Sequence, residues 1–133
     1  MNQDSILEFR VRYADTDKMG GIYHSRVLEW FEMGRTELFR KKGTPYTEVE
    51  SRGVFLPIVE AHVQYKHRAC YDDLLRLSAD SRMHGKARIQ CSHLIVHAHS
   101  GEAVAQGYTI HACVDSGGKV IRPPRWLVEL IQS

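Results

Sequence analysis

The sequence has no apolar run approaching the ~20 residues that cross a bilayer. Its first residues, Met1-Asn2-Gln3-Asp4-Ser5, lack the basic-then-apolar order of a secretory leader. A cytoplasmic protein without membrane insertion is the expectation. Cysteine is sparse and odd in number: Cys70, Cys91 and Cys113 are spread through apolar or alternating stretches, which suits reduced thiols and argues against a disulfide framework. With four prolines in 133 residues there is no proline-rich linker, and neither a low-complexity stretch nor an internal repeat divides the chain. Residues 1–133 read as one domain. An excess of charge of either sign is also missing. Lys and Arg number 18 against 16 Asp and Glu, and the basic residues are scattered, so no block exists that would neutralise nucleic-acid phosphates.

What remains is the composition of a globular domain, 43% hydrophobic and 26% charged. Ile6 to Tyr13 alternates in its second half, the period of a half-buried strand. Ala14 to His24, with Gly20 and Gly21, reads as a loop. From Ser25 to Lys42 the period becomes helical: Val27, Leu28, Phe31, Gly34 and Leu38 form one face, widened by Trp30, Met33 and Phe39. Ser25 is the expected N-cap, Glu29 and Glu32 sit near the start, Arg40, Lys41 and Lys42 crowd the end, and Gly43 stops it. A short helix over Tyr46 to Arg52 follows.

Four strand patterns come next: Val59 to Tyr65, Leu75 to Ala79, Ala87 to His99 and Ala103 to Asp115, the last two changing phase midway as a bulge would cause. Tyr71-Asp72-Asp73, His84-Gly85, Ser100-Gly101 and Ser116-Gly117-Gly118 are short enough for hairpins and so for antiparallel pairing. Pro123 and Pro124 introduce a final apolar segment, Trp126 to Ile131. The expectation is an α+β fold in which a curved antiparallel sheet of about five strands wraps one long helix and leaves an edge or face for a second copy.

Reactive residue types concentrate in Tyr13 to His24. Glycines there let backbone approach a ligand, free N–H groups at the helix start can stabilise an oxyanion, and Asp17 can serve as base or nucleophile. On spacing alone, Asp15 and Asp17 could equally cap turns. Cys91 and His93 share a strand face, as do His97 and His99, but no second pair at ligand spacing supports zinc. Cys91 reads as a buried thiol rather than a nucleophile. Glu60 reads as a solvated or interface carboxylate, and Trp30 and Met33 as margins of the apolar face that could line a pocket.

The run Tyr13-x-x-x-Asp17 with Gly20, Tyr23 and His24, then Trp30-Phe31-Glu32-x-x-Arg35-x-Glu37, resembles the 4-hydroxybenzoyl-CoA thioesterase family of hotdog-fold proteins, including the Tol-Pal-associated acyl-CoA thioesterases. The resemblance continues through Pro57-Ile58-Val59, Tyr65-Lys66 and Tyr71-Asp72-Asp73-Leu74. It implies a hotdog fold, a homodimer or homotetramer, and hydrolysis of an acyl-CoA or acyl-carrier-protein thioester with no separate cofactor or metal. Carried over residue by residue, it places the catalytic carboxylate on Asp17, its partner at the helix start on His24, and the preceding tyrosine on Tyr13. Asp17 would attack the carbonyl or activate water. Gly20, Gly21 and Tyr23 would contact substrate, the oxyanion would meet N–H groups near Tyr23 and His24, and Lys86 and Arg88 would hold the anionic nucleotide. A hotdog module that binds an acyl thioester without turnover is the alternative. Two departures stand out. Ser25-Arg26-Val27-Leu28 replaces a small residue followed by Asn-Tyr-Leu, and Arg68 stands where proline is common, a change expected to affect the strand end rather than the chemistry.

Overall fold

A computed structural model describes residues 6–133; the reading of Met1–Ser5 lies outside the described residues. The sheet holds β1 (Leu7–Arg10), β2 (Ile58–Tyr65), β3 (Leu74–His84), β4 (Arg88–His97) and β5 (Ala103–His111). Its order is β1-β3-β4-β5-β2, antiparallel throughout. Against it lie α1 (Arg26–Lys41), the short α2 (Tyr46–Ser51) and the C-terminal α3 (Arg125–Gln132). This is the expected hotdog arrangement, a long helix held in a curved sheet. No helix among the described residues is long and apolar enough to cross a membrane.

The hairpins β3–β4 and β4–β5 turn at Gly85 and Gly101, whose φ of 71° and 76° suit glycine. Tyr71-Asp72-Asp73 is not a hairpin, in contrast to the sequence expectation. β2 pairs with β5 at one edge, and the chain then crosses to place β3 beside β1. The phase change in β4 appears as a register shift at Ile95/Val96 against β5.

The helical period is borne out with a rotated face. Val27, Trp30, Phe31, Gly34, Leu38 and Phe39 are buried, whereas Leu28 and Met33 are exposed. Trp30 is therefore core rather than pocket lining, and its ring meets Phe9 at 5.0 Å. Fully buried Phe31, Leu75 and Leu77 each contribute about 2 kcal/mol by leaving water. Gly34 lets α1 lie close to the sheet, since a Cβ there would stand 2.8 Å from Leu77 Cδ2. Ser25 has helical backbone angles and makes no side-chain cap, so the expected N-cap is absent. The helix end is as expected, with Gly43 at φ 90°. Lys42 reaches across to α3, donating to the carbonyls of Leu130 at 3.1 Å and Ile131 at 2.9 Å, so its charge sits at the negative C-terminal end of that helix.

β2 departs most from its pattern. Its alternation predicts one buried face, yet only Val63 is half-buried and the other residues are exposed. The helix covers β3 and β4 but leaves the β2 edge open, with Ile58, Val59 and Tyr65 about half exposed.

Candidate active site

The loop between β1 and α1 is built around a buried carboxylate. Asp15, 1% exposed, closes a short 3-10 turn over Tyr13–Asp15. Its Oδ2 accepts from the Arg12 backbone N–H at 2.8 Å and its Oδ1 from Arg12 Nη2 at 3.0 Å, while Arg26 Nε lies 3.8 Å away. Burial alone would push the Asp15 pKa up. The Arg12 hydrogen bonds and the charges of Arg12 and Arg26 outweigh it and hold the group below the usual carboxylate range. The Asp15 carbonyl also accepts the Tyr23 N–H at 2.7 Å. One residue therefore ties both ends of the loop.

Asp17 is the exposed carboxylate of the pair. Its Oδ1 accepts from the Met19 N–H at 2.8 Å, a local turn that fixes the side chain. The Asp17 N–H donates to the Gly21 carbonyl at 2.9 Å, and the Gly20 N–H donates to the Asp17 carbonyl at 3.0 Å. Gly20 sits at φ 85°, which a side chain would strain. Asp17 Oδ2 has no partner among the described residues and faces a cleft of about 370 Å³ whose walls include Gly21, Ile22, Tyr65, Lys66 and Arg68.

Arg68 belongs to this site, contrary to the expectation that it affects only a strand end. It donates to the Met19 carbonyl, and its guanidinium packs so closely on the glycines that a Cβ on Gly20 would lie 3.1 Å from Nη2 and one on Gly21 3.2 Å from Nε. The Arg68 carbonyl is in turn held by His97 Nε2 at 2.9 Å. His97 does not share a strand face with His99, which lies in the turn after β4.

At the helix start, Tyr65 Oη donates to the His24 carbonyl at 2.8 Å. The His24 ring is exposed and lies 4.5 Å from the Tyr23 ring. Because the Tyr23 N–H is committed to Asp15, it is not a free donor. The N–H groups of His24 and Ser25 have no acceptor among the described residues, so the available donors are one residue later than expected. The structure thus brings Asp17, Gly21 and Arg68 to one cleft, with Tyr65 of its wall hydrogen-bonded to the His24 carbonyl.

Other expected site residues fall outside it. Tyr13 is exposed and packs edge-on against Tyr71, centroids 5.6 Å apart. Lys86 and Arg88 flank the β3–β4 turn, while the loop meets the sheet near Asp73, with the 11 residues of β3 between the two. At roughly 3.3 Å per residue this is a separation of about 36 Å along the strand. Glu60 accepts from Tyr108 Oη at 2.9 Å on the outer face. Cys91 is buried and its pKa is pushed up to about 12, which makes it a thiol rather than a nucleophile. No group of three or more His, Cys, Asp or Glu among the described residues could hold a metal ion.

Residues 11–131 match the family model described as the Thioesterase-like superfamily. YneP of Bacillus subtilis is 42% identical over 66 residues, 50% of this chain and 48% of its own length, so that match spans about half of the relative. The 1,4-dihydroxy-2-naphthoyl-CoA hydrolase of Synechococcus elongatus is 29% identical over 110 residues, 80% of this chain and 78% of that protein. Among solved structures, the DHNA-CoA thioesterase of Staphylococcus aureus is 30% identical with a TM-score of 0.83, covering 92% of this chain and 83% of that one.

Proposed function

The chain belongs to the Thioesterase-like superfamily, and from that premise we propose that it is a thioester hydrolase cleaving an acyl-CoA to a carboxylic acid and free coenzyme A. The relatives named as CoA thioester hydrolases support the substrate class. The observation that carries the reading is a fixed, accessible carboxylate, Asp17, in a cleft whose wall residue Tyr65 is hydrogen-bonded to the start of α1, where the His24 and Ser25 N–H groups are unpaired among the described residues. Within the superfamily we place the chain with the 4-hydroxybenzoyl-CoA thioesterase branch, on its Tyr13-x-x-x-Asp17 and Trp30-Phe31-Glu32 motifs.

In the reaction, the thioester carbonyl oxygen takes the His24 and Ser25 N–H groups, which stabilise the negative charge that develops on it; one such donor is worth about 3 kcal/mol. Asp17 Oδ2 acts by one of two balanced routes. As nucleophile it adds to the carbonyl carbon, the C–S bond breaks, the thiolate takes a proton from water, and a second water hydrolyses the anhydride to return Asp17. As general base it takes a proton from water, hydroxide adds to the carbonyl, and the proton passes to the departing sulfur. The carrier of the acyl group, free coenzyme A or an acyl carrier protein, leaves this chemistry unchanged. His24 orients substrate or water through its exposed ring, with Tyr23 and the two glycines forming the near wall.

The assembly we propose is built on the open β2 edge. A row of unpaired backbone groups with half-exposed Ile58, Val59 and Tyr65 suits a second copy of this chain, pairing β2 with β2 about a two-fold axis. Antiparallel pairing sets the Ile58 end of the partner beside the Tyr65 end of the first copy. Ile58 pairs with His111 and His111 with Ile89, so Arg88 of the partner subunit comes to the side of the Asp17 cleft, and Lys86 with it. The nucleotide site is then completed in trans.

The test is a thiol-release assay with short, long and aromatic acyl-CoA thioesters, run beside Asp17→Asn. Hydrolysis by the native chain that is lost in the variant is the expected result. Saturable acyl-CoA binding without thiol release from any of them would overturn the hydrolase reading in favour of a binding module.

A further inference from the structure

A second cavity, of about 150 Å³, opens between the C-terminal half of α1, α2 and the inner face of β4 and β5. Arg35 lines it, about 14 Å along the helix axis from Arg26 at 1.5 Å per residue. Arg35 Nη1 is buried and has no hydrogen-bond partner among the described residues. No carboxylate lies within ion-pair distance of it there. Arg35 is partly buried, and leaving its Nη1 without water or a hydrogen-bond partner is costly to fold, since the Glu32 carboxylate offsets the charge only through space.

Of the groups around Arg35, only the Glu32 carboxylate favours its charge, and it makes no ion pair with it. Cys91 holds its proton, with its pKa pushed up to about 12. His111 spends both ring nitrogens inside the protein, Nδ1 on the Leu56 carbonyl at 2.9 Å and Nε2 on Thr109 Oγ1 at 2.8 Å. Tyr46 Oη accepts from the Leu56 N–H at 3.0 Å, and its own proton has no acceptor among the described residues. Two unspent donors, Arg35 Nη1 and Tyr46 Oη, therefore face a space walled by the apolar surfaces of Phe39 and Leu56. Glu32, one helical turn before Arg35, stands exposed on the same lining.

We propose that this cavity is a binding site for a small monocarboxylate whose carboxylate pairs with Arg35 and Tyr46 while its short aliphatic or aromatic body lies against Phe39 and Leu56. The volume fits a body the size of one aromatic ring, since an engineered cavity of about 150 Å³ holds benzene. A planar guanidinium matches a carboxylate through two parallel hydrogen bonds. The Glu32 carboxylate disfavours ligands with two negative charges, so the site selects monoanions over inorganic phosphate. The inference does not rest on thioester hydrolysis.

The experiment titrates benzoate, benzamide and inorganic phosphate into the full chain by calorimetry, with unfolding temperatures measured alongside. Native protein and Asp17→Asn bind benzoate alike and are stabilised by it, while benzamide and phosphate do neither. Arg35→Met removes the unpaired charge, so it raises the unfolding temperature without ligand and weakens benzoate by about tenfold to a hundredfold, the worth of a charged hydrogen-bond pair. Arg35→Lys keeps a cation but not the paired geometry, and gives an intermediate loss. Absence of benzoate binding to the native chain overturns the proposal, as does benzoate binding that Arg35→Met leaves unchanged. If instead Arg35→Met changes the oligomeric state by light scattering while benzoate does not bind, the counter-charge comes from a second copy and the ligand site is refuted.

Discussion

Tyr65, the last residue of the edge strand, donates its hydroxyl proton to the carbonyl of His24 at 2.8 Å, two residues before the start of α1. This contact spans 41 residues of sequence and joins the β2 edge to the N–H groups proposed as oxyanion donors. Tyr65→Phe removes that bond and nothing else, so it should fold with a loss of about 1 kcal/mol by denaturant titration. Freed from its tether, the helix start aims its N–H groups less well, and kcat should fall several-fold with KM little changed. A Tyr65→Phe enzyme with native kcat would detach the strand end from the chemistry.

In the proposed reaction, Asp15 and Asp17 divide structure from chemistry. Asp15→Asn removes the negative charge that faces Arg12 and Arg26 and turns one of the two acceptor oxygens into an NH2 donor, which should cost about 2 kcal/mol, in line with hydrogen bonds to a charged group. Asp17→Asn keeps the Met19 turn through its amide oxygen, so it should leave the unfolding free energy unchanged and remove hydrolysis. Chemical denaturation and thiol release on both variants check the division.

The lowered Asp15 pKa also sets a pH dependence. A carboxyl that ionises more readily folded than unfolded adds stability above its unfolded pKa, near 4 for aspartate. That contribution is lost as pH falls through the lower folded value. Unfolding free energies measured from pH 7 to pH 3 should therefore drop more steeply in the native chain than in Asp15→Asn, and the two curves should converge at the acid end.

Gly107 marks how closely β5 and β2 approach: a Cβ there would stand 1.9 Å from the His62 carbonyl oxygen, a backbone atom that cannot yield alone. Gly107→Ala must push the strands apart. Hydrogen exchange should show amides of β2 and β5 opening faster, while those shared by β3 and β4 stay protected. Unaltered protection of β2 would mean that the pair absorbs the added carbon by another route.

The parts of this fold that depend on neighbouring residues were legible in the sequence. The period of α1, its basic last turn and Gly43 together placed the helix to within a residue at each end. What depends on distant partners was not. The pattern of β2 predicts a buried face, because alternation does not record that α1 lies over β3 and β4 and leaves this edge open. Leu28 was placed on the apolar face of α1 and Met33 at its margin on the same kind of periodicity, and both are exposed. Asp15 and Asp17 are alike as letters two apart, and only the approach of Arg12 and Arg26 separates them. Arg68 was read as affecting only a strand end because its contact with Met19 crosses 49 positions. A basic residue replacing the expected proline, next to a glycine-rich loop's strand partner, was the available signal.

The two-fold assembly on β2 makes a claim about where Arg88 acts. If each cleft takes Asp17 from one copy and Arg88 from the other, Asp17→Asn and Arg88→Ala damage different halves of one site. Each variant alone should be weak, the first by losing chemistry and the second by losing a charged contact to the nucleotide. Refolding the two as an equal mixture makes half of the dimers mixed, and each mixed dimer holds one site with both native residues. Activity should then recover to about a quarter of the native value, as two-fold symmetry with shared sites requires. If the residues act within one chain, or Arg88 takes no part, no mixed dimer regains an intact site beyond what the Arg88→Ala chains already show. Light scattering on Val59→Asp, which places a charge on the pairing edge, reports separately whether β2 carries the dimer. A Val59→Asp chain that stays dimeric would move the interface elsewhere and remove the route by which Arg88 reaches Asp17.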